Sequence, residues 1–291
     1  MIREGDDPFM KAVCQTCMHH CSLEPGQRGI CGARENKDGG IVCVNYGRIT
    51  ALALDAIEKK PLRLFAPGSK ILSAGSFGCN LSCPFCQNHE ISMLNRKTAQ
   101  DSGGISRVAY VSPKELAEEA YANRDMGNIG LAFTYNEPLV GWEFVRDTAK
   151  LVKAYGMKNV LVTNGTASLE VLEELLPFID AMNIDLKGFR EEYYQKLGGS
   201  LSAVQAFITR AAAACHVELT TLVVPGENDS AAEMEEEAKW IASLPSAVAL
   251  HVTRFFPRYH MTDRSATDVQ QVYRLANIAG KYLEHVFVGN C

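Results

Sequence analysis

The chain reads as an α/β protein: a parallel sheet of repeated strand–helix units behind a small cysteine-rich segment. Three observations carry that expectation. From Lys70 onward short apolar runs alternate with amphipathic stretches of helical period. Those stretches carry helix start and stop signals rather than hairpin turns. Ahead of them, cysteines at 14, 17, 21 and 31 are interleaved with glycines at 26, 29, 32, 39 and 40.

Taken in order, residues 1–69 show few helical periods and cannot bury much core alone, so a bound metal is expected to help fold them. Ala66-Pro67-Gly68-Ser69 reads as the turn into a second unit, dividing the chain into 1–69 and 70–291. Six strands are predicted at 70–76, 129–134, 158–163, 181–186, 216–224 and 248–254, with a weaker seventh at 285–288. Ser112-Pro113 with Glu115 marks a helix start by a cap and an N1 proline. A helix over 139–155 is stopped by Gly156. Ser230 with Glu233 forms a capping-box pattern ahead of a helix whose acidic face, Glu233, Glu235, Glu236 and Glu237, is expected to be solvated. Strand–helix units joined by short loops imply parallel strands with right-handed crossovers. An open (β/α) barrel and a doubly wound sheet both satisfy that pattern.

Composition narrows the class of function. The 291 residues are 47% hydrophobic and 22% charged with net charge −5, and no run of five Lys or Arg occurs. Nucleic acid is therefore not an expected partner. The N-terminal MIREGDDPFM is too acidic for a signal peptide, and no stretch reaches the ~18 apolar residues of a membrane span. A cytoplasmic protein is expected. In a reducing compartment, clustered cysteines are metal ligands or catalytic groups rather than disulfides. Seven of the ten cysteines fall in two clusters, while Cys43, Cys215 and Cys291 stand alone as small apolar residues.

The second cluster is Cys79-Asn80-Leu81-Ser82-Cys83-Pro84-Phe85-Cys86, spaced C-x3-C-x2-C directly after the first predicted strand. Three thiolates in one loop can wrap a single inorganic cluster. A [4Fe–4S] cluster normally takes four cysteines, so three leave one iron open to another ligand, as catalytic zinc keeps an open position. A zinc loop short of one ligand and a chance triplet are the bland alternatives. The first cluster, Cys14, Cys17, Cys21 and Cys31, supplies four thiolates around His19 and His20. That set suits structural zinc or a second iron–sulfur cluster equally.

In barrels the active site forms at the C-terminal ends of the strands. Those ends carry Thr134-Tyr135-Asn136-Glu137-Pro138, Thr163-Asn164-Gly165, Asp185-Leu186-Lys187, Pro225-Gly226-Glu227-Asn228-Asp229 and Thr253-Arg254-Phe255-Phe256. Arg254 and Arg258 suit a substrate carboxylate or phosphate. His251, inside a strand, reads more simply as a satisfied core histidine.

The three-cysteine loop, with Phe85 before its last cysteine, resembles the signature of the radical S-adenosylmethionine (SAM) superfamily. That resemblance implies a partial (β/α)6 TIM-like barrel in which SAM chelates the open iron. One electron from the cluster then cleaves SAM, and a 5′-deoxyadenosyl radical takes hydrogen from substrate. The strand ends resemble those of the glycyl-radical-enzyme activases, whose Gly-Gly-Glu-Pro stretch appears here as Tyr135-Asn136-Glu137-Pro138, with both glycines replaced. By that likeness Tyr135, Asn136, Glu137, Asn164, Asp185 and Lys187 bind SAM. Ile57-Glu58-Lys59-Lys60-Pro61-Leu62, the cysteine loop and Thr134–Pro138 together resemble the radical SAM component of the AmmeMemoRadiSam system. This implies AMMECR1-like and Memo-like partner proteins and a reductant such as flavodoxin or ferredoxin. A glycyl-radical-enzyme activase, a peptide-modifying enzyme and a non-catalytic iron–sulfur electron carrier are the competing functions.

Overall fold

The computed structural model describes residues 11–94 and 108–291; the N-terminal stretch tested for a signal peptide lies outside them. Among the described residues, five short strands come first: Ala12–Val13 (β1), Ser22–Leu23 (β2), Arg34–Lys37 (β3), Gly40–Cys43 (β4) and Arg48–Ile49 (β5). Antiparallel pairs β1–β2 and β3–β4 are two-stranded ladders, and β5 pairs with Ala109–Tyr110 (β8).

Among the described residues the main sheet has eight strands. It runs from Ala51–Ala56 (β6) through Lys70–Gly75 (β7), Asn128–Phe133 (β9), Lys158–Thr163 (β10), Ala181–Asp185 (β11), His216–Val223 (β12), Ala249–Arg254 (β13) and Val286–Gly289 (β14). From β7 to β14 every pairing is parallel. All seven predicted strands are present within a residue or two. The sheet stays open, with β6 and β14 at its edges, so the architecture is a partial barrel.

β6 was not anticipated. It lies ahead of the predicted turn at 66–69 and adds antiparallel to β7, with Ala51 opposite Gly75 and Ala56 opposite Lys70. Its sequence, ALALDA, lacks the β-branched residues that flag a strand, so the hydrogen bonds of β7 recruit it.

The parallel strands are apolar on both faces because both are covered. One face meets the helices Pro113–Ala122 (α2), Trp142–Ala154 (α3), Leu169–Leu175 (α4), Leu201–Ala212 (α6), Ala231–Ala242 (α7) and Val269–Ala279 (α8). Leu131, Leu161, Ile184, Leu219 and Val252 pack there. On the other face Ala132, Val160 and Ala181 form a row with Ile71, closed over by Ile57 and Leu62 from the β6–β7 connection. Burying those two side chains contributes about 1.5–3 kcal/mol each. The Ile57–Leu62 stretch thus floors the barrel.

The floor is pinned by Glu218. Its carboxylate accepts from the backbone N–H of Arg63 (2.9 Å) and Leu64 (2.8 Å). It also bonds His216 Nε2 (2.9 Å) and His251 Nε2 (2.7 Å). His251 is therefore a satisfied core histidine, as its place in a strand implies.

Helix caps follow the sequence. Ser112 and Glu115 form a complete capping box, and Gly156, at φ +74°, follows α3. The predicted helix over 139–155 begins later: Pro138–Gly141 is a 3-10 turn and α3 starts at Trp142. There the Glu137 side chain caps Leu139, and Gly141 lies so close to Asn45 that a Cβ would stand 2.6 Å from Oδ1.

The acidic helix is not a solvated face. Glu233 and Glu237 are buried, and only Glu235 and Glu236 reach solvent to differing degrees. Ser230 caps the N–H of Glu233, but the Glu233 carboxylate turns inward to accept from Phe189 N–H at 2.7 Å. Glu237 accepts from Thr221 Oγ1 at 2.5 Å, and burial pushes its pKa up to about 8. A charge pattern along a helix cannot show which side faces the sheet. Among the described residues no helix is long and apolar enough to cross a membrane.

Candidate active site

The cysteine loop leaves the C-terminal end of β7 and runs into the short helix His89–Ser92 (α1). Backbone and amide contacts strap it on every side. Asn45 Nδ2 donates to Phe77 O (2.8 Å), and Asn136 Nδ2 to Gly78 O (3.0 Å). Ser82 N–H donates to Leu197 O (2.8 Å), and His260 N–H to Pro84 O (2.8 Å). Gly78 sits at φ +93°, where a Cβ would meet Cys31 O at 2.7 Å, so only glycine lets the loop pass.

Cys79, Cys83 and Cys86 form no disulfide. Burial pushes Cys79 far above the usual thiol range. Burial also raises Cys83, to about 11, with the Lys187 ammonium opposing it. Such thiols ionise readily only against a bound metal, which deprotonates a coordinating thiol outright. Among the described residues no three Cys, His, Asp or Glu groups are placed to hold a single metal ion. A multi-iron cluster does not require that convergence, because each thiolate takes a different iron. The donor set fits a cluster better than a lone zinc.

Predicted residues from the ends of β9 and β10 gather around this loop. Asn164 Nδ2 donates to Asn80 Oδ1 (2.9 Å) and lies 3.7 Å from Cys79 Sγ. Its Oδ1 accepts from Thr166 Oγ1 (2.6 Å). Asn80 Nδ2 in turn donates to Thr166 Oγ1 (2.8 Å), closing a buried amide–hydroxyl network. Glu137 is buried and accepts from Leu139 N–H (3.0 Å), Thr163 Oγ1 (2.7 Å) and Asn164 N–H (2.7 Å), tying β9 to β10. Burial outweighs these donors and pushes its pKa up to about 7. Asn136 holds the loop through Gly78 O and accepts from Ser76 N–H (2.9 Å).

Tyr135 explains the replaced glycine. It sits at φ +72°, the left-handed region that glycine adopts freely and that strains a tyrosine. The strain is offset from inside the barrel: Tyr135 Oη donates to Asp55 Oδ2 (2.7 Å), and Lys60 Nζ stands 4.6 Å from the ring centroid. Lys60, buried, also bonds Asp55 at 2.9 Å. The turn thus keeps the backbone shape of a glycine.

Asp185 and Lys187 form an ion pair at 2.6 Å at the end of β11. Burial pulls the Lys187 pKa down, but Asp185 and Cys83 outweigh it and hold the ammonium well above its ordinary value. Arg254 is engaged elsewhere, donating to Thr267 O (2.7 Å) and lying over Phe256.

The N-terminal cysteines lean on the same region. Cys14, Cys17 and Cys31 are buried and Cys21 is half-buried. Cys14 N–H donates to Cys21 O (2.9 Å). Cys17 bridges to Ala167, and His19 Nε2 bonds Asn80 O (2.8 Å). Burial, with Cys14 and Cys21 nearby, raises the Cys17 pKa.

Sequence reasoning missed several residues that hold the loop. These include Asn45, Thr166, and Gly198 beyond the helix Glu191–Lys196 (α5), whose partners lie far away in the chain. Gly198 carries a faint signal, a Gly-Gly pair after a helix: it sits at φ +73°, and a Cβ would stand 2.8 Å from Ser82 Oγ.

Residues 75–241 match the sequence model of the Radical SAM superfamily. An uncharacterized protein of Methanocaldococcus jannaschii is 34% identical over 285 residues, covering 96% of this chain and 81% of that protein. Pyruvate formate-lyase 1-activating enzyme of Escherichia coli is 31% identical over 127 residues, which is 42% of this chain and 47% of the enzyme. Among solved structures, Streptococcus suis SuiB bound to S-adenosylmethionine shares the fold with a TM-score of 0.54 at 12% identity, covering 73% of this chain and 48% of SuiB.

Proposed function

The chain belongs to the radical SAM superfamily, whose members use a [4Fe–4S] cluster with S-adenosylmethionine, and from that premise we propose that Cys79, Cys83 and Cys86 are the cluster's protein ligands. The chain is an enzyme of SAM radical chemistry. Support for the ligand set comes from one observation above all: three cysteines that form no disulfide stand in a strapped loop at the C-terminal end of the first parallel strand. When bound, the cluster and SAM supply a reductive cleavage that yields a hydrogen-atom abstractor.

This chain's own residues do the rest. Leu81, Phe85, Phe255 and Met261 pack around Cys83 and keep water and oxidants from it. Asp185 with Lys187 presents a fixed carboxylate and ammonium to the polar groups of SAM. Asn164, Asn136 and Glu137 hold the turns that face it, and Tyr135 keeps the turn's backbone open toward it. The reductant is a one-electron donor such as flavodoxin or ferredoxin.

The reaction is assigned to the AmmeMemoRadiSam type, acting in the cytoplasm with AMMECR1-like and Memo-like partners. It rests on the residues quoted for that resemblance, of which Ile57–Leu62 forms the barrel floor. Similarity to pyruvate formate-lyase 1-activating enzyme favours a second reading, activation of a glycyl-radical enzyme. Cys14, Cys17, Cys21 and Cys31 are candidate ligands of a second metal. A single zinc ion there would need its thiols drawn closer together than they stand. Zinc, iron and sulfide analysis of a variant lacking Cys79, Cys83 and Cys86 separates the two metals.

The test is anaerobic reconstitution followed by SAM and dithionite. The wild-type chain should release 5′-deoxyadenosine, and Cys83→Ala should release none, since two thiolates do not retain the cluster. An intact cluster with no 5′-deoxyadenosine, or cleavage that survives in Cys83→Ala, overturns the assignment.

A further inference from the structure

Tyr193 lies on α5, beside the cysteine loop. Its ring is 4% exposed and packs in one apolar group with Leu81, Cys83, Phe85, Leu197 and Phe255. Its hydroxyl is buried and, among the described residues, has no hydrogen-bond partner. The neighbouring Tyr194 differs, because its phenol oxygen accepts from Lys187 N–H at 2.9 Å. An unpaired buried hydroxyl is costly, so the group calls for a partner that the described residues do not supply.

The surroundings say where that partner lies. Leu197 O, just past α5, accepts from Ser82 N–H at 2.8 Å and from Ser82 Oγ at 3.3 Å. Gly198 approaches Ser82 too closely for any Cβ. Helix and cysteine loop are thereby fixed against each other. On its other side the ring is backed by Gly188, where a Cβ would stand 2.8 Å from Tyr193 Cδ1. A neutral phenol is a hydrogen-bond donor, and thiolate or sulfide sulfur accepts.

We propose that Tyr193 donates a hydrogen bond to the iron–sulfur cluster at its Cys83 corner and thereby raises the cluster's reduction potential. This rests on the ligand assignment above. A hydrogen bond to cluster sulfur stabilises the reduced form, which carries more negative charge there. Tyr193 is a tuning residue that acts through the cluster on SAM cleavage.

The experiment compares wild type with Tyr193→Phe, both reconstituted and without SAM, by redox titration followed by electron paramagnetic resonance. The variant's reduction equilibrium should shift about tenfold toward the oxidised cluster, which for one electron is a potential lower by ~59 mV. Iron content should stay equal. In wild type, electron–nuclear double resonance should show an exchangeable proton coupled to the reduced cluster, absent from the variant. If the variant loads less cluster, that wild-type proton signal decides alone. An unchanged potential, or no such proton, overturns the proposal, even if SAM binding falls. Those results leave the ligand assignment standing when wild type still forms 5′-deoxyadenosine. A wild-type chain that takes up no cluster sinks both.

Discussion

Replacing Glu237 by glutamine tests whether the acidic helix carries a neutral, buried carboxyl. The side chain is 1% exposed and accepts a hydrogen bond from Thr221 Oγ1. Burial pushes its pKa from 4.5 to about 8. The folded-state value is the higher one, so its stabilising effect is complete below the unfolded value near 4.5. That effect is lost as pH rises, until the folded group ionises near 8. Each pH unit in that window removes about 1.4 kcal/mol from wild type. Glutamine keeps the acceptor for Thr221 and has no charge to acquire. The difference in unfolding free energy, variant minus wild type, should therefore grow by about 2–3 kcal/mol between pH 6 and pH 8. Urea unfolding at pH 6, 7 and 8 measures it, and groups common to both proteins cancel in the difference. A difference that stays flat within about 0.5 kcal/mol across that range refutes the buried, neutral Glu237.

Two further outcomes follow from the packing of the site and the barrel floor. Gly198→Ala should destabilise the chain by about 1–3 kcal/mol and lower the iron retained after reconstitution, since strain at φ +73° adds to a clash with Ser82; unchanged iron content would count against the clamp on the cysteine loop. Glu218→Gln should destabilise by about 3–5 kcal/mol in urea unfolding, because the floor's two N–H groups and two histidines share that carboxylate; a loss below about 1 kcal/mol would show that the floor is held by Ile57 and Leu62 alone.

By itself the sequence determined what lies along the chain at short range. Strand runs such as 158–163, the Ser112–Glu115 cap, Gly156 after α3 and the spacing of Cys79, Cys83 and Cys86 are properties of a few consecutive residues. Each is dictated by backbone geometry or by ligand count, so each can be read from one dimension. The tertiary structure alone decided which side of α7 meets the sheet, that β6 joins it, and that Asp55 and Lys60 hold Tyr135 in a glycine's conformation. It also decided that Tyr193 buries its hydroxyl in the apolar group around Cys83. Those outcomes depend on partners such as Glu237 with Thr221, or Glu218 with Arg63, that are neighbours only after the chain has closed upon itself. Burial and pairing are energies of position, and position along a strand or helix does not specify position in the folded molecule.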